Sequence, residues 1–189
     1  MKKTLIAAAF AAFFAGSALA APQTYVVDSN HTFPRFSYNH MGLSKQILRF
    51  DKTTGTVVLD KEAKEAKVDI TIDMKSISTG SEAFNGHIQG EDFLDTKQFP
   101  TATFKSTKVV FDGDTPTAIE GDLTIKDVTK PVTLTITSFF NGPHPMLKKD
   151  AVGANATAVI SRTEFNAGKF APAVGDEVTL DIALEASVE

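Results

Sequence analysis

Alternation of apolar and polar residues dominates the chain after residue 21. Val68, Ile70, Ile72 and Met74 alternate with polar residues, and the same period of two recurs at 119–125, 132–137 and 178–188. This period predicts β-strands that bury one face. Shorter strand candidates lie near 24–28, 35–41, 54–60, 102–112 and 152–161. With turn signals between them, they predict an all-β fold of antiparallel hairpins around one core, either a barrel or a sandwich.

One segment, near 81–95, departs from this alternation. Ala83, Phe84, His87 and Ile88 have helical spacing. Just before this run, Thr79 and Glu82 have the spacing of a capping box. In such a box, Thr79 accepts a hydrogen bond from a free backbone amide. We therefore expect a short, irregular helical segment between two strands, placed so that its apolar face closes one end of a barrel.

The first twenty residues have the pattern of an export signal. Lys2 and Lys3 form a positive start, residues 5–14 are uninterruptedly apolar, and Ala18-Leu19-Ala20 offers the small residues that a signal peptidase recognises. We expect residues 1–20 to be a cleaved signal peptide, residues 21–189 to be one domain, and the mature protein to lie in the periplasm. Cleavage leaves 17 basic residues against 23 acidic ones, a net charge of −6.

Composition narrows the function classes. The absence of Cys excludes thiol nucleophiles, disulfides and Cys-based metal sites. A net charge of −4 for the whole chain argues against nucleic acid as a partner. No apolar run after Ala21 is long enough for a spanning helix, and 2 Tyr with no Trp are too few for the aromatic girdles of an outer-membrane barrel. We expect a protein that does not span the membrane.

Catalytic and cofactor motifs are missing from the sequence. The four histidines, His31, His40, His87 and His144, lack the spacing of metal ligands. There is also no nucleophile elbow, phosphate-binding loop or dinucleotide fingerprint. We therefore assign no catalytic residue, no metal and no cofactor.

Two features favour a hollow interior. Ala154, Ala156 and Ala158 share one strand face, where a filled core would favour larger side chains. Phe36, Tyr38 and His40 share a face of an early strand and combine apolar walls with polar tips, as ligand pockets do. The alternatives are a strand turned the other way, with the alanines outside or beneath the helix, and a filled aromatic core.

A series of short motifs resembles the YceI-like family over essentially all of 21–189. In order along the chain they are His40-Met41-Gly42, His87-Ile88-x-x-x-Asp92-Phe93-Leu94-Asp95, Phe99-Pro100-x-x-x-Phe104-x-Ser106, Gly121-Asp122-Leu123-Thr124, Val128-Thr129-Lys130-Pro131-Val132 and Arg162-x-x-Phe165. The resemblance implies a lipocalin-like antiparallel β-barrel of about eight strands. It also implies an elongated apolar cavity that binds polyisoprenoid or similar long-chain lipids, and many members are periplasmic.

On this basis the expected ligand is a long-chain isoprenoid or fatty amphiphile, carried or scavenged in the barrel. The expected ligand-binding residues are Phe36, Tyr38, Phe84, Ile88, Phe93 and Phe104 for the wall, and His40, Asn85 and His87 for the polar head near the mouth. Many members have an Arg-Asp pair where this chain has Phe84-Asn85, so a neutral head such as a quinone or amide is favoured here over a pyrophosphate.

Two other function classes stay open at this point. One is a lipid-modifying isomerase or hydrolase that uses the same cavity, with His87 or His40 as base. The other is a secreted stress or interaction protein whose barrel is filled and binds no ligand. The sequence also leaves open whether the protein is a monomer or a homodimer.

Overall fold

A computed structural model of the protein describes residues 21–189; the predicted signal peptide lies outside the described residues. Within this range the chain forms eleven β-strands, one α-helix and two 3-10 turns. The strands are β1 (Gln23–Val27), β2 (Phe33–His40), β3 (Ser44–Phe50), β4 (Thr53–Asp60), β5 (Glu65–Asp73), β6 (Ile77–Ser78), β7 (Thr101–Asp112), β8 (Thr115–Ile125), β9 (Val128–Pro143), β10 (Asp150–Ser161) and β11 (Val174–Ser187). The helix α1 spans Glu82–Gln89, and the 3-10 turns span Met74–Ser76 and Arg162–Phe165.

The sheet closes on itself as an antiparallel barrel. Eight strands follow one another in the order β1-β4-β5-β7-β8-β9-β10-β11, and β11 returns to β1 through the pairs Val26↔Ser187 and Val27↔Ala186. Closure removes the free edges that a sandwich would leave. The predicted all-β fold is therefore confirmed, and of the two architectures it is the barrel, with the expected eight strands and one short helix.

Three strands extend the barrel wall beyond this ring. β11 pairs with β1 near its carboxyl end but with β2 over most of its length, and β3 and β6 continue outward from β2. The chain bends between β1 and β2, between β3 and β4, and at the 3-10 turn between β5 and β6. The interior is thereby lengthened at the end where α1 lies.

Apolar side chains at every second position face the interior of the barrel, as the period of two predicted. Val57, Leu59, Val68 and Ile70 are buried, whereas Asp69 between two of them is exposed. Two strands were missed by the sequence interpretation: the two-residue β6, and β3, in which Leu48 and Phe50 are buried but Ile47 is exposed. An apolar residue on the outer face breaks the alternation on which the prediction depended.

Helix α1 lies within the predicted segment but begins differently. Its N-cap is Ser81, whose hydroxyl accepts from the amide of Phe84, so the prediction that Thr79 caps the helix is wrong. Thr79 instead accepts from the amide of Ser81 in a local turn. After α1, residues 90–99 form turns, and the amide of Leu94 donates to the carbonyl of Ile88. No helix among residues 21–189 has the length and apolar character that crossing a membrane requires.

Candidate functional site

The upper part of the barrel, next to α1, holds an apolar cavity. Strands, the segment after α1 and the 3-10 turn at Arg162–Phe165 all contribute to it. Its lining residues are Phe36, Tyr38, Phe50, Met74, Ile88, Phe93, Leu94, Ile125, Ile160, Arg162, Phe165, Ala167, Val174, Val178 and Leu180. All but two of these side chains, those of Tyr38 and Arg162, are apolar.

A second, middle cavity adjoins the first. The two share five lining residues, so they lie next to each other in the interior. The shared residues are Phe36, Phe50, Met74, Ile125 and Leu180. The middle cavity is bounded further by inner-face residues of the closed ring, such as Val68, Ile70, Phe104 and Leu134.

A third, lower cavity adjoins the middle one. It shares Val68, Ile119, Ala154 and Leu184 with the middle cavity. Along β11 the lining passes in order from Val178 in the upper cavity through Leu180 and Ile182 to Leu184. The three cavities therefore follow one another along the barrel interior, and we call them together the tunnel.

Small side chains keep the tunnel open. Ala154 and Ala156 line it, and Ala158 is buried on the same strand face. The prediction that this face points inward and leaves room is confirmed, whereas the alternative of alanines on the outside is wrong. The larger side chain of a Leu or Ile at these positions would occupy space that is now free.

Arg162 borders the upper cavity but is committed to the backbone. Its guanidinium donates to four carbonyl oxygens: to Gly175 from Nε at 2.8 Å, to Ala167 and Lys169 from Nη1, and to Val174 from Nη2 at 2.7 Å. Burial lowers the pKa of Arg162, while the charges of Asp176 and Tyr38 oppose that shift. With its donors used in this way, Arg162 holds the loop before β11 in place as one lip of the cavity.

Tyr38 provides a neutral polar group in the same cavity. The residue is 8% exposed, and burial raises the pKa of its phenol, with the charge of Arg162 acting in the opposite direction. A phenol whose pKa is raised stays protonated at neutral pH and is available as a hydrogen-bond donor. The tunnel thus combines long apolar walls with few polar groups, which is the composition of a site for an amphiphile.

Aromatic and charged contacts join the two segments at the mouth. The rings of Phe93 and Phe170 lie 6.0 Å apart, and Lys169 Nζ lies 3.3 Å from Asp92 Oδ1. These contacts connect the turn after α1 with the loop that Arg162 holds. The mouth of the upper cavity is therefore formed by two loops that touch each other.

The predicted site residues divide into two groups. Five of the six predicted wall residues line the tunnel: Phe36, Tyr38, Ile88, Phe93 and Phe104. The sixth, Phe84, packs at the edge of the upper core cluster but does not line the tunnel. Whether these residues contact a ligand stays a prediction.

The three residues predicted for the polar head are not brought together at the lining. Asn85 accepts a hydrogen bond from the amide of Thr79, so its side chain fixes the start of α1. His87 is exposed, with its ring between those of Phe84 and Phe93. His40 is partly buried at the end of β2, outside the lining. Among residues 21–189 no group of three or more His, Asp or Glu side chains is arranged to hold a metal ion.

Most of the lining was not identified from the sequence. Met74, Ile125, Ile160 and Leu180 belong to ordinary alternating strands or their ends, and nothing in the pattern separates a tunnel wall from a filled core. Arg162 and Phe165 were noted only as a motif. The signal that could have found more of the lining is the inward phase of β10, since the alanines there mark which neighbouring positions face open space.

Comparison with known proteins agrees with this architecture. The sequence profile of the YceI-like domain matches residues 25–186. The chain is 38% identical over 188 residues to Protein YceI of Escherichia coli O157:H7. The aligned region covers 98% of this chain and 97% of that protein. Protein YceI of Salmonella agona (strain SL483) is 36% identical over the same shares of the two chains.

Solved structures share the barrel. BcnA of Burkholderia cenocepacia superimposes with a TM-score of 0.70 at 26% identity, covering 85% of this chain and 99% of that one. The Campylobacter jejuni YCEI protein gives 0.67 at 25% identity, covering 80% and 90%. A polyisoprenoid binding domain from Saccharophagus degradans gives 0.65 over 87% and 98%, but its 14% identity supports only the likeness of the fold. Since the profile spans nearly the whole barrel and the relatives align from end to end, the chain belongs to the YceI-like family.

Proposed function

We propose that this protein holds a polyisoprenoid or similar long-chain amphiphilic lipid in its tunnel, as a carrier or scavenger in the periplasm. The observation that carries the proposal is the succession of three adjoining apolar cavities along the barrel interior. The Saccharophagus degradans domain described as polyisoprenoid-binding has the same fold and supports the choice of ligand class.

The dimensions of the tunnel favour a long chain over a compact ligand. The lining of β11 extends from Val174 to Leu184, which at roughly 3.3 Å per residue is about 33 Å along the strand. Because strands of such barrels tilt by about 40°, the corresponding height is roughly 25 Å. An extended hydrocarbon chain fills a space of this shape, whereas a compact molecule of equal volume does not.

Transfer of the hydrocarbon from water supplies the binding free energy. Each methylene buried is worth about 0.8 kcal/mol, so a dozen buried methylenes contribute roughly 10 kcal/mol before the entropic costs of association. A preformed tunnel lowers those costs because the wall does not need to be ordered by the ligand. The apolar lining is therefore sufficient for tight binding without a charged headgroup contact.

The periplasmic location in this proposal is supported by the basic start, apolar stretch and small residues of Met1–Ala20. A compartment between two membranes is also where an amphiphile needs a protein to shield it from water. Cell fractionation, with N-terminal sequencing of the mature protein, tests this: the expected result is a periplasmic chain beginning at Ala21. A cytoplasmic chain that retains Met1 would contradict it.

Affinity as a function of chain length tests the proposed binding role. We expect the dissociation constants of isoprenoid alcohols with 10, 15 and 20 carbons to fall steeply with length, because each added isoprene unit is buried in the tunnel. Displacement of the fluorescent probe N-phenyl-1-naphthylamine measures this in a chain that has no Trp. Affinities that do not depend on length, or no binding at all, would overturn the proposal.

The same incubations test for chemistry on the lipid. If the protein is a carrier or scavenger, the alcohol extracted after prolonged incubation is unchanged, with its original mass and retention time in mass spectrometry. Conversion that is lost in His87→Ala or His40→Ala, while binding is kept, would instead establish a lipid-modifying enzyme.

A further inference from the structure

Two exposed apolar residues beside the mouth of the upper cavity have a left-handed backbone. Within residues 21–189, seven residues other than glycine have a clearly positive φ. Five of them are polar: Lys64, Asp95, Lys126, Lys148 and Asn166. The other two are Met41, with φ 55°, and Phe170, with φ 64°, and they are 55% and 51% exposed. A bulky side chain in this region is strained, and packing in the core does not compensate for it here.

The turn between β2 and β3 does not need a methionine. The amide of Leu43 donates to the carbonyl of His40 at 2.9 Å and closes a turn whose central residues are Met41 and Gly42. Both have positive φ, which is the type I′ turn, and Asn-Gly is the favoured pair there. Leu43 is 81% exposed. The turn therefore presents two apolar side chains to solvent at a place where polar residues fold more easily.

This turn lies beside the loop that carries Phe170. The amide of Met41 donates to the carbonyl of Ala173 at 3.0 Å. The ring of Phe170 lies 6.0 Å from that of Phe93, and Phe93 and Val174 both line the upper cavity. The exposed apolar side chains are therefore next to the entrance of the tunnel.

No charged residue interrupts these two segments. Residues 39–44 and 170–175 contain no Asp, Glu, Lys or Arg. Lysines follow at their edges: Lys45 lies two residues after Leu43, and Lys169 Nζ lies 5.5 Å from the centroid of the Phe170 ring. Lysine side chains bury their methylenes along apolar surface and keep the ammonium group in water, as they do at the headgroups of a bilayer.

The exposed side chains of Met41, Leu43 and Phe170, which we call the mouth patch, are too small an area for a stable protein interface. At roughly 200 Å² for each side chain, their exposed fractions correspond to about 400 Å². A stable complex buries about 800 Å² on each partner. An exposed apolar patch of this size nevertheless marks an interaction site. Insertion into a bilayer requires no matching surface on a partner, so a few apolar side chains are enough.

We propose that the mouth patch docks the protein on the surface of a lipid bilayer, with the α1 end of the barrel facing the membrane. Met41, Leu43 and Phe170 insert among the lipids, and the neighbouring lysines lie at the level of the headgroups. Docking in this way places the tunnel entrance where an amphiphile can pass between bilayer and barrel without crossing water. That use of the docking rests on the proposed function, whereas the docking itself does not.

Co-sedimentation with vesicles made of equal parts phosphatidylcholine and phosphatidylglycerol tests the proposal. The unaltered protein should sediment with the vesicles. Met41→Asn combined with Leu43→Ser should lower the partition coefficient about 10-fold or more, because two apolar side chains no longer enter the bilayer. No sedimentation of the unaltered protein would overturn the proposal.

Met146→Asn combined with Leu147→Ser is the matched control. These two residues are 85% and 58% exposed in the turn between β9 and β10, at the opposite end of the barrel. The control should keep the partition coefficient within about twofold of that of the unaltered protein. An equal loss in both double variants would show that the mouth patch is not the docking surface.

Thermal unfolding separates docking from folding. Met41→Asn should keep or raise Tm, since asparagine suits the left-handed position of a type I′ turn. Leu43→Ser alone leaves that position unchanged and should still weaken sedimentation. Full sedimentation of a double variant with unchanged Tm would contradict the proposal. So would a dimer of the unaltered protein in gel filtration that Met41→Asn and Leu43→Ser convert to a monomer, since the mouth patch would then join two copies of the chain.

Failure of this inference is distinguishable from failure of the proposed function. The Kd of geranylgeraniol, measured without vesicles by displacement of N-phenyl-1-naphthylamine, should be the same in the unaltered protein and in the double variant at Met41 and Leu43. If the unaltered protein binds the alcohol but does not sediment with vesicles, the docking is wrong and the lipid-binding role stands. If it sediments through the mouth patch but binds no isoprenoid alcohol, the docking stands and the proposed function is wrong.

Discussion

Substitution of Ala156 by Leu tests whether the tunnel is a space kept for a ligand. Ala156 lies on the inner face of β10 and borders the middle cavity. A leucine there adds about three carbons, and a bound lipid chain must give up the space that they occupy. At roughly 0.8 kcal/mol for each methylene displaced, the loss is about 2.4 kcal/mol, or about 50-fold in Kd. The ligand-free protein should be no less stable, since the new side chain enters empty space.

Ala183→Leu is the matched control for this substitution. Ala183 lies in β11 between Ile182 and Leu184, which line the tunnel, so its own side chain faces the opposite side. The Kd of geranylgeraniol, from displacement of N-phenyl-1-naphthylamine, should stay within about twofold of the unaltered protein. The unfolding free energies of both variants come from urea titration.

One result would refute the reasoning directly. If Ala156→Leu lowers the unfolding free energy by the roughly 1–3 kcal/mol typical of overpacking, the interior is already filled in solution. Unchanged lipid affinity in a stable Ala156→Leu protein would contradict the account in another way, because the ligand would then bind elsewhere.

Two further predictions concern the lip of the upper cavity. Arg162→Met leaves four backbone carbonyls without their donor and should lower the unfolding free energy, measured in urea, by about 3 kcal/mol. The control is Arg49→Met, which breaks an exposed ion pair with Asp51 and should lower the unfolding free energy by less than about 1 kcal/mol. Asp176 accepts from the amide and hydroxyl of Thr163, and these bonds lower its pKa below the ordinary 3.8. Its stabilising contribution is therefore present above pH 3.8 and lost as the pH falls below it. Tm measured from pH 6 to pH 3 should fall less steeply in Asp176→Asn; parallel curves would contradict this assignment.

The sequence predicted the fold well because the barrel depends on a short-range pattern. In the alternation at 68–75, 119–125 and 178–188, the apolar residues do face the barrel interior, where several of them line the cavities. β3 was missed because Ile47 places an apolar side chain on the outer face. The choice between barrel and sandwich depended on the pairing of β11 with β1, two segments almost the whole chain apart. Local periodicity carries no information about such a pairing.

The candidate site was less accessible to sequence reasoning. Aromatic residues with inward phase, such as Phe36, Tyr38 and Phe104, were expected at the wall, and their side chains line the cavities. His87 and Asn85 were assigned to the polar head because of their residue type, but their side chains are directed by the geometry of α1, with Asn85 fixing the start of the helix.

Native mass spectrometry of the protein purified from its own cells tests the central claim most directly. The account predicts a mature chain that carries one additional mass, released by organic solvent and identified as a long-chain amphiphile with an uncharged oxygen-bearing group. A chain of protein mass alone, which also takes up no isoprenoid alcohol when one is supplied, would contradict it.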